Sequence, residues 1–364
     1  MISFLGSEIG RGHPFYMDGL LLALRAKRGN LVARTADVFA VSRGPSLLAW
    51  KAVRASYVAA GRGGPLAALY HRVRGGTDYN ERSVLLDVLG RDLRRWAGDR
   101  GLVVVDHPAV AGALGGREDV WYAHGEMAAP PEAIVRDAAR ILVPTEETAA
   151  AFVRGGVSPE RVLVTGICVE PGLVPLAEDA MLARRARIAG RAPLAVAFFS
   201  SGAEPTAHVA ALAAGAASVV AAGHRAIVFA RRRGRLEAAV RAAGLEVVGF
   251  DGREELDRVT AARFAELDAV VSPPHERSNW AVALGMPFLL VGPDVGPFAP
   301  RNRAILLRAE VAAEVESSAA ARQLGATLDA LRSSGRLLSM SEKGAGPPFR
   351  GFERAADFLI EEAG

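Results

Sequence analysis

The sequence predicts an α/β protein built from two open, mostly parallel sheets with helices on both faces. Three observations carry this. Short runs rich in Val, Ile and Phe alternate with longer stretches rich in Ala, Leu and Arg, as expected when each strand is followed by a helix that returns the chain to the next parallel strand. The chain has 364 residues, more than one ordinary domain and suited to two of about 150–180 residues each. Between Cys168 and Arg191 the strand signals stop, and Pro171, Pro175 and a charged helical stretch intervene.

The strands expected in the first half are Ile2–Leu5, Leu31–Arg34, Leu102–Val105, Val120–Tyr122, Ile141–Val143 and Val162–Val164. Those of the second half are Leu194–Phe199, Ala226–Phe229, Glu246–Val248, Ala269–Val271 and Phe288–Val291. The domains expected are 1–172 and 193–340, joined by a connection over 173–192 with the boundary near Leu173. The tail 341–364 begins with a Gly- and Pro-rich segment, Ser341–Pro348. It continues into a helical pattern over Phe349–Glu362, suited to packing back on the first domain.

Composition narrows the function classes. Half the residues are hydrophobic, yet no apolar run reaches the roughly 20 residues that span a bilayer. The start, Ile2-Ser3-Phe4-Leu5, lacks the basic and apolar regions of a secretion signal, so a cytoplasmic protein is expected. The single cysteine, Cys168, excludes an intramolecular disulfide and a thiolate metal cluster. Net charge is only +4, but no acidic residue occurs between Asp37 and Asp78, where Arg43, Lys51, Arg54, Arg62, Arg72 and Arg74 stand. No zinc spacing or reader motif accompanies this basic stretch, so nucleic acid is not an expected partner. With Trp50, Tyr57 and Tyr70 interleaved, Arg43–Arg74 suits either contact with an anionic membrane or an Arg-rich helix pair packed on its own domain.

Candidate chemistry falls at strand ends. The first strand runs into Gly6-Ser7-Glu8-Ile9-Gly10-Arg11-Gly12-His13, and a helical pattern, Met17–Leu24, follows. Glycines permit a tight turn and close ligand approach, and ligands of open α/β sheets sit beyond the strand carboxyl ends. His13, at the helix start, is placed either to take a proton from an attacking hydroxyl or to cap local backbone. Asp106-His107-Pro108 and His124-Gly125-Glu126 follow the next two central strands. Their imidazoles and carboxylates either orient His13 and bind acceptor hydroxyls or form hydrogen-bonded structural pairs. In the second half, Phe198-Phe199-Ser200-Ser201-Gly202-Ala203 ends a strand in small residues that let the backbone close on a phosphate before a helix N-terminus. Arg231, Arg232 and Arg233 follow the next strand, either to neutralise a diphosphate or as solvated basic surface. No Asp-x-Asp motif stands at a strand end, and no metal is expected.

Gly10-Arg11-Gly12-His13 with Gly19–Leu24 resembles the GxGH turn and helix that open monogalactosyldiacylglycerol synthases and the related MurG-like GT-B glycosyltransferases. Asp106-His107-Pro108 is similar to the strand-plus-HP element of that group. Ile141–Thr145, Ala149–Gly156 and Val162–Ile167 resemble its passage into the interdomain connection. Phe198–Ala203, Phe264–Pro274 and Ala281–Pro287 resemble, in order, its nucleotide-binding half. The resemblance implies two Rossmann-like domains facing a cleft. It implies a nucleotide-sugar donor, a UDP-sugar, with a lipid or small-molecule hydroxyl as acceptor and no tightly bound cofactor. On the acceptor side it implies His13 as base, oriented by Asp106 or Glu126, with Gly10, Gly12, His107 and His124 nearby. On the donor side it implies Ser200, Ser201, Gly202, His275, Glu276, Ser278, Asn279 and Asn302. Lipid-linked acceptors in this group also imply peripheral attachment at the inner face of the membrane.

The chain departs from the group at two points. His275-Glu276-Arg277-Ser278-Asn279-Trp280 stands where the group shows a glycine pair, a Thr and a Glu, and the Glu position falls on Trp280. Either Glu276 supplies the ribose-binding carboxylate from a shifted loop or the nucleoside is held differently. Gly296–Asn302 keeps the Asn but lacks the acidic and amide pair near the donor sugar. Two rival readings stay open: a nucleotide-sugar epimerase of the same architecture, and a catalytically silent protein that lost its donor site.

Overall fold

A computed structural model describes residues 1–9, 12–61, 78–98, 101–315, 317–346 and 348–364, with the side chains of 12, 13 and 61 outside this set. The chain forms two compact units. The first is Met1–Pro171 together with Arg350–Gly364, and the second is Gly172–Phe349.

The first unit is built on a six-stranded parallel sheet in the order β2-β1-β3-β4-β5-β6. The strands are β1 Ile2–Gly6, β2 Val32–Asp37, β3 Leu102–Val105, β4 Val120–Ala123, β5 Arg140–Val143 and β6 Val162–Val164. Alternate side chains of the central strands enter different cores, so these strands are apolar along their length. Phe4, Val104, Trp121 and Leu142 face the helices Gly12–Arg28 and Gly351–Ala363. Leu5, Val105, Tyr122 and Val143 face a core that includes Trp50, Leu89, Leu93, Val110 and Phe152, from helices on the opposite side.

The last helix, Gly351–Ala363, enters the first unit by an antiparallel bridge between Cys168 and Arg350 and packs along the helix Gly12–Arg28. Phe352 packs edge-on to Phe15, with ring centroids 5.4 Å apart, and lies so close over Gly19 that a Cβ there would overlap its ring. Lys27 Nζ donates to Asp357 Oδ1 (2.6 Å) and to the Glu353 carbonyl (3.0 Å).

For Trp50 the structure decides between the two readings of the basic stretch. Trp50 is fully buried, and its indole N–H donates to the Leu89 carbonyl at 3.2 Å, so it anchors the helix Gly44–Gly61 to the core rather than facing a membrane. Tyr57 also packs against that core. Arg62, Tyr70, Arg72 and Arg74 lie outside the described residues.

The second unit repeats the plan in the order β12-β11-β10-β7-β8-β9. Its strands are β7 Ala195–Phe199, β8 Arg225–Arg231, β9 Val247–Phe250, β10 Ala269–Ser272, β11 Phe288–Val291 and β12 Ala312–Val315. Every strand expected from sequence overlaps an observed one. β12 was not among them, because Ala-Ala-Glu-Val carries little intrinsic β preference; its parallel pairing with β11 makes it a strand.

Residues 173–192, read in the sequence as a connection, contain the helix Ala177–Ala189, which belongs to the second unit. Arg184 explains its attachment. Fully buried, it donates from Nε to the Leu267 carbonyl (2.9 Å) and from Nη1 to the Leu284 carbonyl (2.6 Å), above the Phe264 ring. Burial pushes its guanidinium down to about 9. Arg184→Ala strands those carbonyls without donors and is expected to lower stability by about 3 kcal/mol or more. Urea unfolding of the full chain measures this, and an unchanged midpoint would show the arginine to be dispensable.

Candidate functional site

Each sheet changes the direction of strand addition beside its first strand. The chain passes from β1 to β2 on one side and then to β3 on the other; it passes from β7 to β8 and β9, then to β10. The loops that leave adjacent strands in opposite directions open a crevice at the carboxyl edge, where open α/β sheets place ligands.

At the first switch point the turn after β1 is held by carboxylates from both neighbouring strands. Asp37, ending β2, accepts from the Glu8 N–H (2.8 Å) and the Phe39 N–H (2.7 Å). Asp106, following β3, accepts from the Ser7 N–H (3.4 Å) and the Ser7 hydroxyl (3.1 Å). Those bonds favour its charged form, but complete burial outweighs them and pushes the Asp106 carboxyl up to about 7. At neutral pH this group can both give and take a proton.

His107 and Pro108 have a local explanation. The His107 imidazole Nδ1 accepts from the Ala109 N–H at 3.1 Å and caps the helix Pro108–Ala113, whose first position is the proline. His124 is likewise held by its own loop. The Tyr122 hydroxyl donates to Nδ1 (3.1 Å), and Nε2–H donates to the Ala128 carbonyl (3.0 Å). Burial pushes its imidazole down to about 4, so it stays neutral near pH 7. Nε2 closes the loop 124–128 and Nδ1 ties it to β4, while Thr148 also grips the loop through the Met127 carbonyl (2.6 Å). Gly125 lies against Tyr16 of the first helix so tightly that a Cβ would overlap the ring. Glu126, half-buried, is thereby fixed beyond β4, one strand from Asp106 and two from the β1 turn, or about 10 Å along the sheet edge. Gly12 and His13 open the helix Gly12–Arg28; Gly10 and the His13 side chain lie outside the described residues.

At the second switch point the loops after β7 and β10 bring the donor-side candidates together. Ser200 and Ser201 follow the last residue of β7, and the hydroxyls of both are buried without a partner among the described residues. So are the His275 Nε2 and the Ser278 hydroxyl in the loop after β10. Burial lowers the affinity of His275 for a proton. Ser278, Asn279 and Trp280 form the buried first turn of the helix Ser278–Ala283. Trp280, at the position expected for a carboxylate, is core, packed edge-on to Phe199 and Phe264 at 5.6 Å from each. Glu276 instead pairs with Arg277 at 3.2 Å. Asn302 Nδ2 donates to the Pro274 carbonyl at 3.2 Å and ties the helix Ala299–Arg308 to this loop.

Beside Gly202 a cavity of about 570 Å³ opens between the loops after β7 and β8, lined by Ala203, Glu204, Arg231, Arg232 and Arg233 among others. Glu204 accepts from the Arg235 N–H at 2.7 Å and fixes the two loops to each other. Arg232 is committed to Asp251 (2.8 Å) and Glu255 (2.7 Å), whereas Arg231 extends exposed at the rim. Ser7, Asp37 and Arg277 were not singled out in the sequence. An isolated Ser, Asp or Arg in a loop has no spacing that marks it, and their partners lie far along the chain or are set by a turn.

No family model matches the chain, and no curated protein matches it. Solved structures match over its full length. The UDP-GlcNAc 2-epimerase of Neisseria meningitidis, bound to UDP-GlcNAc, is 13% identical with a TM-score of 0.56, the match covering 100% of this chain and 99% of that one. MurG of Acinetobacter baumannii is 12% identical with a TM-score of 0.55, covering 99% of each chain. The spinosyn rhamnosyltransferase SpnG is 17% identical with a TM-score of 0.53, covering 100% of each. The fold is therefore the two-domain Rossmann-like GT-B architecture, which these transferases and epimerases share. Among the described residues, no helix is long and apolar enough to cross a membrane.

Asp106 gives a pH test of this geometry. A carboxyl raised from 3.8 to about 7 on folding stabilises the fold fully below its unfolded value, and that contribution is lost as the pH rises through about 7. Asp106→Asn is expected to remove most of the decline in stability between pH 4 and about 7. Chemical denaturation across that range checks it; an unaltered pH profile would mean that the carboxyl titrates normally.

Proposed function

We propose that this chain is a glycosyltransferase that moves a sugar from a nucleoside diphosphate, a UDP-sugar, to a hydroxyl acceptor. The observation that carries the reading is the group of buried, unpartnered hydroxyl and imidazole atoms at the second switch point, beside a cavity of ligand size. Small side chains on the turn, followed by the long helix Thr206–Ala221, suit an anionic diphosphate. In this reading Ser200, Ser201, Gly202, His275, Ser278 and Asn279 bind the diphosphate, and Asn302 holds the loop.

In the reaction the acceptor oxygen attacks the anomeric carbon, and the bond from that carbon to the diphosphate oxygen breaks. The hydroxyl proton passes to His13, and the nucleoside diphosphate leaves with the bonding pair. Hydrogen bonds from the β7 and β10 loops counter the charge that grows on the leaving oxygen, so the scheme needs no metal. Asp106 and Glu126 orient the base and the acceptor. Fold likeness to MurG and SpnG supports this reading. Leu48 and Val58, exposed on the acid-free helix Gly44–Gly61 with Lys51 and Arg54, support contact with an anionic membrane that presents a lipid acceptor.

A second reading, a nucleotide-sugar epimerase, is favoured by Asp106. A carboxyl near pH 7 one strand from Glu126 suits proton removal and return on a sugar, and the fold is shared with a UDP-GlcNAc 2-epimerase.

Calorimetric titration with UDP, TDP and GDP, free and sugar-linked, tests the donor site. Selective UDP binding is expected; no binding to any of them would favour a silent fold. His13→Ala is expected to lower transfer about 100-fold or more while leaving the nucleotide dissociation constant within about twofold. Product formed from the sugar nucleotide without any acceptor would make the epimerase reading correct. Sedimentation with anionic vesicles, weakened by salt, is expected for the membrane contact, and absence from vesicles at low salt would remove it.

A further inference from the structure

Arg277 is a buried cation that the scheme above does not use. It is 6% exposed, and its guanidinium carbon lies 4.1 Å from the centroid of Phe199 and 5.4 Å from that of Trp280. Phe199 is itself stacked on Phe229, with centroids 4.6 Å apart and planes 7° from parallel. The guanidinium thus rests on a rigid aromatic platform formed by β7, β8 and the first turn of Ser278–Ala283. Its Nη1 reaches Glu276 Oε1 at 3.2 Å, and its Nε is buried without a partner among the described residues.

A buried guanidinium kept for structure is met by fixed acceptors. Arg184 has the backbone carbonyls of Leu267 and Leu284 for its Nε and Nη1, with only Nη2 left without a partner among the described residues. Arg277 has instead the carboxylate of a neighbouring residue that is about a quarter exposed, with side-chain exposure of 24%. Its surroundings are also suited to donate. The Phe199 ring beneath it leads directly into Ser200 and Ser201, and His275 and Ser278 stand two and one residues away in its own loop. The polar atoms of those four side chains named above are buried and lack partners among the described residues. A guanidinium beside four such side chains suits an anionic ligand.

We propose that Arg277 binds the diphosphate of the donor, and that Glu276 is its counter-ion, holding the guanidinium on the platform until phosphate oxygens replace the carboxylate. This rests on the donor-site reading and changes the role of one residue within it. Glu276 competes with the ligand for Arg277 rather than gripping the ribose. The planar fork of an arginine gives two parallel bonds to phosphate, so a lysine should not substitute fully.

The test is calorimetry on the full chain with UDP, uridine and inorganic pyrophosphate as probes. Arg277→Met, which keeps the bulk without the charge, is expected to weaken UDP and pyrophosphate about tenfold or more and to leave uridine unchanged. Arg277→Lys should fall between Met and wild type. Glu276→Gln is expected to tighten UDP and pyrophosphate several-fold. Weaker binding of both UDP and uridine by Glu276→Gln would overturn the proposal in favour of a ribose grip. If Arg277→Met does not fold, Glu276→Gln carries the test alone, because a gain in affinity cannot arise from damage. Wild type that binds UDP with Arg277→Met unchanged overturns this proposal and leaves the donor site standing. Wild type that binds neither UDP nor pyrophosphate overturns both.

Discussion

A parallel strand packed by helices on both faces has no solvated side. Its residues must be apolar along their length, and polar side chains are admitted only where the strand stops. The central strands β1, β3, β4, β7, β10 and β11 all obey this, with Ser3 and Ser272 as small exceptions. The carboxyl edge of each sheet therefore collects the polar groups. The reversals at β1/β3 and β7/β10 decide which of those groups face an opening. Among the described candidates, Asp106, His107, His124, Ser200 and Ser201 lie just beyond such strand ends.

Burial then gives polar groups of similar chemistry different properties. Asp37 and Asp106 both accept bonds from the turn after β1, yet only Asp106 is buried deeply enough for desolvation to carry its carboxyl close to neutrality. Burial lowers the proton affinity of both His124 and His275. His124 spends one nitrogen on Tyr122 of β4 and the other on its own loop, and His275 keeps one unpartnered among the described residues. Arg184 and Arg277 each lie over an aromatic ring and each keep one nitrogen unpartnered among the described residues, but Arg184 is met by backbone carbonyls and Arg277 by a single carboxylate. A group whose bonds are complete holds the fold; a group left incomplete at a strand end is available to a ligand.

Much of the architecture was legible in the sequence because parallel strands have an unambiguous signature. Runs such as Leu102–Val105 and Phe288–Val291 are short, apolar and bounded by glycine or proline, which favours buried strands over helices. β12 escaped because Ala312–Val315 has no such signature and owes its state to β11. Trp50 among arginines suited either a membrane face or a packed helix, and its place on the inner stripe of its helix sends it into the core. Of the candidate site, the strand-end loops were legible and the hydrogen bonding within them was not. Pro108 marks His107 locally as a helix cap, whereas nothing local shows that His275 Nε2 has no partner among the described residues.

The sequence by itself determined the two parallel sheets, the positions of the strand-end turns and the kinds of side chain those turns carry. These are local properties, set by periodicity, chain geometry and residue type. Only the tertiary structure decided which turns neighbour one another, because strand order depends on which apolar faces can be buried together. It joined Ser7 to Asp106 across β1 and β3, placed Arg277 over Phe199, and put Trp280 in the core where a carboxylate was expected. Protonation and pairing follow from those long-range contacts, since desolvation is set by everything packed around a group rather than by its neighbours along the chain.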